Sequence, residues 1–108
     1  MIRKISRIKI LLLLSLFSFI NANDSNSLFM ATAALNAGMY EEALMHINKA
    51  KMDDPTSPKV YQMKALLHEA LDQPQKALVA WNNCLRFSKS KKVKKQAKNH
   101  ISILSEDQ

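Results

Sequence analysis

The stretch ATAALNAGMYEEALMHINKAKMDDP, from Ala31 to Pro55, decides the fold. Its first part is rich in strong helix formers and runs into Gly38, the one residue here that enters a left-handed helix cap without steric cost. From Tyr40 the positions Tyr40, Ala43, Leu44, Ile47 and Ala50 follow three-and-four spacing, which lays them on one helix face. Glu41 and Glu42 fall in the first turn, where the helix dipole favours anions, and Pro55 ends the element. The stretch is therefore read as two helices joined by a short turn at Gly38, the second with an apolar face.

Working outward, Asp24, Ser25 and Ser27 offer N-caps for the first helix. Downstream, Ser57 followed by Pro58 is an N-cap with proline at the first helical position, and Val60, Met63, Leu67, Ala70 and Leu71 mark the apolar stripe of a third helix. Asp72 or Gln73 can cap a fourth that starts near Pro74 and aligns Ala77, Leu78, Trp81, Cys84 and Leu85. A fifth is expected from about Ser90, with Val93, Ala97, Ile101 and Leu104 on one face. In 108 residues only one small domain fits, and one Gly with 6% aromatic residues argues against a barrel or sandwich of strands joined by Gly-rich turns. The same lack of Gly excludes phosphate cradles and dinucleotide folds, whose backbone must approach the ligand closely. The expected class is all-α.

Positions i and i+34 agree repeatedly: Ala31 meets Ala65, Ala43 meets Ala77, Leu44 meets Leu78 and Asn48 meets Asn82. Large or small apolar residues also coincide, Ile47 with Trp81 and Ala50 with Cys84. On these residues the chain resembles the tetratricopeptide repeat family. Ala31, Gly38, Tyr40, Ala43, Ile47, Ala50 and Pro55 fall where that pattern asks for a small residue, glycine, an aromatic, alanine, a bulky apolar, alanine and proline. In the second unit Tyr61, Ala65, Ala77, Trp81 and Cys84 match. Lys64 departs at a usually apolar position, Asp72 replaces the turn glycine, Pro74 replaces the aromatic, and Ser27 stands where the first unit would carry one.

The resemblance implies an α-solenoid fragment. Two units, at about 24–57 and 58–91, would account for residues 23–87, a basic capping helix would occupy 88–105, and 106–108 would be a tail. It also implies a concave surface lined by the first helix of each unit, Leu28, Thr32, Leu35 and Asn36 from one and Lys59, Gln62, Leu66 and Glu69 from the other. Only Asn36 matches the Lys and Asn cluster with which some family members grip a C-terminal carboxylate, so a different ligand type is expected. Leu28, Leu35 and Leu66 would supply affinity, each worth about 1.5 to 3 kcal/mol if fully desolvated. Because about three repeats are normally needed for a stable stack, two units and a cap predict dimerisation or a stabilising partner.

Ahead of these helices, Arg3, Lys4, Arg7 and Lys9 precede the run ILLLLSLFSFI from Ile10 to Ile20 and the small residue Ala22. That order matches a secretory signal peptide, residues 1–22, cut after Ala22, and the apolar run is short of the roughly 20 residues a membrane-spanning helix needs. The expected location is periplasmic or secreted. Without those four basic residues, 12 remain against 9 acids, a charge of +3. It is unevenly placed: residues 23–85 carry five Lys and seven acids, whereas 86–108 carry Arg86, Lys89, Lys91, Lys92, Lys94, Lys95 and Lys98 against two. This segment is either a solvated face opposite Val93, Ala97 and Ile101 or a tether for an acidic partner, an anionic membrane surface touched transiently, or nucleic acid, the last disfavoured by the secretory signal.

Residues for chemistry are sparse. His46, His68 and His100 are too far apart in sequence for any two to share a helix face as ligands, and in HEALD, residues 68–72, Asp72 stands where a zinc-protease motif needs its second His. Cys84 occupies a position for a small buried side chain. No cofactor or metal is expected, and the chain reads as a non-catalytic binding module for a protein or peptide partner.

Overall fold

A computed structural model describes residues 24–106; the leader expected over 1–22 lies outside the described residues, as do the last two residues of the expected tail. The described residues form five α-helices and no strand: α1 (Asp24–Asn36), α2 (Tyr40–Asp53), α3 (Pro58–Ala70), α4 (Pro74–Phe87) and α5 (Lys91–Glu106). The protein is all-α. Helices α1 and α2 pack as one hairpin and α3 and α4 as a second, α3 also touches both helices of the first, and α5 lies on α4.

Small side chains allow the hairpins to close tightly. Ala31, Ala43 and Ala50 are buried around Ile47, and Ala65, Ala77 and Cys84 are buried around Trp81. Each position i of the first set recurs at i+34 in the second. The first group joins Ala34, Val60, Met63 and Leu67, while the second joins Tyr61, Ala80 and Ala97, and Leu66 packs against both.

The turns recur with the same displacement. Gly38 N–H donates to Leu35 O and Met39 N–H to Ala34 O; at the equivalent positions of the second hairpin Asp72 N–H donates to Glu69 O and Gln73 N–H to His68 O. Gly38 and Asp72 both hold positive φ, 74° and 54°, because ending a helix with these two bonds needs a left-handed residue. Asp72 thus fills the place expected of glycine.

Several local expectations need correction. Neither Asp72 nor Gln73 caps α4 with its side chain: Asp72 forms the turn, and Gln73 stands at the cap position with no side-chain cap bond, its Oε1 2.8 Å from His68 Nδ1. Ser57 is at the N-cap of α3 and likewise makes no side-chain cap bond. Ala70 and Leu71 are exposed, since the chain leaves the core as it enters the turn. The basic helix, expected from about Ser90, spans Lys91–Glu106, and Ser90 stands before it: Ser90 Oγ accepts from Val93 N–H at 3.3 Å, and Ser90 N–H donates to Ser88 Oγ.

Candidate interaction surfaces

The residues expected to line a concave face fall on α1 and α3 and share the work with packing. Leu28, Leu35 and Leu66 are partly buried against the core. Thr32 is half-buried; its Oγ1 lies 2.9 Å from Leu28 O and 3.1 Å from Met63 Sδ. Asn36 and Lys59 are exposed. Gln62 Nε2 donates to Gln96 Oε1 of α5 at 2.5 Å, a bond that again joins positions i and i+34.

Glu69 ties its helix to two others. Its carboxylate accepts from Trp81 Nε1 at 2.8 Å and lies 2.9 Å from His100 Nδ1, and the His100 ring stacks on Trp81 with centroids 4.3 Å apart. Three helices meet in this cluster, α3, α4 and α5. Its chemistry is structural: the buried indole N–H gains an acceptor, which an unpaired donor in the core would cost about 1–3 kcal/mol to lack. No spacing in the sequence joins residues 69, 81 and 100.

Of the other histidines, His68 is buried and His46 half-buried. Among the described residues no three His, Cys, Asp or Glu side chains converge in a way that could hold a metal ion, and no helix is long and apolar enough to cross a membrane. Cys84 is fully buried, and burial pushes its thiol pKa up against a smaller opposing influence of Lys59. A raised pKa leaves little thiolate, so this sulfur is a packing group and a poor nucleophile.

The basic segment is mostly solvated. Arg86 places its guanidinium 4.8 Å from the Phe87 ring centroid, Lys89, Lys91, Lys92, Lys95 and Lys98 are exposed, and Lys94 is half-buried. Lys91, Lys94, Lys95 and Lys98 line one shallow depression with Asn99. On the other side of α5, Ala97 is buried and Val93, Ile101 and Leu104 pack onto the second core.

A larger groove, of about 660 Å³, opens between α2, α3 and α4. Its cations come from three helices: Lys51, Lys64 and Lys76. Lys64 is half-buried, and its pKa is held below the ordinary lysine value, first by desolvation and then by repulsion from Lys51 and Lys76. Sequence reasoning missed this surface. The signal was present only as Lys64 at a usually apolar position; the convergence with Lys51 and Lys76 depends on how the two hairpins splay.

Comparison with family models, curated proteins and solved structures finds no match for this chain.

Proposed function

We propose that this chain is an exported, non-catalytic interaction module of tetratricopeptide type, which holds a peptide or protein segment on the face shared by α1, α3 and α5. The observation that carries this reading is the recurrence, between positions i and i+34, of both the helix-ending hydrogen bonds and the buried small-and-large pattern. The Gln62–Gln96 bond supports taking α5 as the first helix of an incomplete third unit, with Leu28, Gln62 and Gln96 in one row across the face. Exposed Asn36 and Lys59 would contact the partner, and the half-covered leucines would lend apolar area.

The test is mass spectrometry of proteins that co-purify with a C-terminally tagged full-length chain at low and high salt, with the bait's own N-terminus read in the same run. The expected result is a bait beginning at Asn23 and a stoichiometric partner that survives high salt and is lost from an Asn36→Arg/Lys59→Glu variant. An intact leader would sink export, and a partner indifferent to that variant would sink the proposed face. The shared depression along α5 favours one rival, an electrostatic tether at residues 86–98. Binding through it should fall steeply with ionic strength and vanish when its lysines are neutralised.

A further inference from the structure

We propose that the groove between α2, α3 and α4 is a second binding site, which takes an acidic peptide segment carrying at least two carboxylates around an apolar side chain. It stands apart from the face shared by α1, α3 and α5: on α3, helical spacing puts Tyr61, Lys64 and His68 on one side and Gln62, Leu66 and Glu69 on another. The inference therefore does not depend on the function proposed above.

Charge argues first. Lys51, Lys64 and Lys76 converge from three helices, and no acidic side chain lines the groove. Among the described residues no Lys or Arg is ion-paired with a carboxylate, so these three ammonium groups have no acidic side chain as partner. Holding three like charges together is unfavourable, and Lys64 bears the cost of desolvation as well. An anion seated among them relieves both penalties, by pairing the desolvated ammonium and screening it from its neighbours.

Shape and chemistry then narrow the ligand. A groove of about 660 Å³ is far larger than an inorganic anion needs and falls within the usual range for organic ligands, about 300–1,000 Å³. Leu44 and Val79, both exposed, give it apolar walls, and the Asn48 and Asn83 carboxamides can each donate to and accept from a peptide backbone. The two aromatic rings in the lining are both buried: Tyr61 lies beneath Lys51 at 6.0 Å and donates its hydroxyl to Pro55 O at 2.6 Å, and the His68 imidazole has its Nδ1 2.8 Å from Gln73 Oε1. That is no stacking platform for successive bases, so peptide is favoured over nucleic acid.

The experiment uses the purified full chain and a fluorescein-labelled peptide Glu-Glu-Leu-Glu-Glu, followed by anisotropy at low salt. Saturable binding is expected, with no binding of the peptide in which Gln replaces every Glu. A Lys64→Gln/Lys76→Gln variant should weaken it about tenfold or more, equivalent to about 1.4 kcal/mol. The triple change Lys91→Gln/Lys95→Gln/Lys98→Gln on α5 and the Asn36→Arg/Lys59→Glu variant should each alter it less than about threefold. A thermal melt of each variant verifies folding, which Lys64→Gln favours by removing a desolvated charge. The proposal is overturned if the peptide fails to bind at millimolar concentration, if the Gln peptide binds as well, or if the α5 variant suffers the larger loss. Displacement of the peptide by low-millimolar inorganic phosphate would also overturn it, showing a small-anion site in its place.

Discussion

Two left-handed residues close the two hairpins, and they are chemically unequal. Gly38 has open space where a Cβ would stand, so Gly38→Ala is penalised by φ alone, about 1–2 kcal/mol. Asp72 already bears that penalty in part, and Asp72→Gly should therefore raise the melting temperature while Gly38→Ala lowers it by several degrees, read by circular dichroism. Opposite signs at equivalent positions are the expectation; equal signs would show that the turns are not equivalent. Lys64 gives a pH-dependent counterpart. Its folded-state pKa is lowered, so below that value both states are protonated and its destabilising effect is complete. As pH rises toward 10.5 the unfolded chain holds more protons than the folded one, and the penalty fades. Lys64→Met should accordingly be more stable than the parent at pH 7, with the gap shrinking in alkaline melts. A gap that widened with pH would contradict the assignment. Such residues were only half legible in sequence: Gly38 declared its turn, whereas Asp72 and Lys64 registered as departures whose consequences depend on conformation and neighbours.

Helices are where the sequence spoke most clearly. Ala43, Ile47 and Ala50, or Ala77, Trp81 and Cys84, announce a buried face because three-and-four spacing and side-chain size are both local properties. What joins the helices was not legible, since it assembles from distant positions: the Glu69, Trp81 and His100 cluster spans 31 residues and three helices, and the lysine groove draws on three as well. That cluster predicts how α5 is held. Removing the carboxylate in Glu69→Ala leaves the Trp81 indole N–H without its acceptor and frees His100, which should cost about 1–3 kcal/mol. Hydrogen exchange should show α5 losing protection before α1 and α2, because the first core does not include it. Uniform loss across all five helices would mean a single cooperative unit.

Over the whole molecule, the two ends of the helical array differ. At one end α5 turns Ala97 and Ile101 toward the second core and shows solvent a lysine-rich surface. At the other end α1 leaves Phe29 62% exposed. Met63, its counterpart in the second hairpin, is only 5% exposed because it packs into the core built with α1 and α2. Met30, Met45 and Met52 add exposed apolar surface in the same hairpin. Since exposed apolar surface favours association in water, sedimentation equilibrium should find mass rising with concentration. The Phe29→Ser variant should shift the distribution toward monomer with little change in melting temperature, an exposed ring contributing little to the folded monomer. A parent chain that stays monomeric across the accessible range would refute association through this end. A variant that melts much earlier without changing its mass would instead place Phe29 inside the fold.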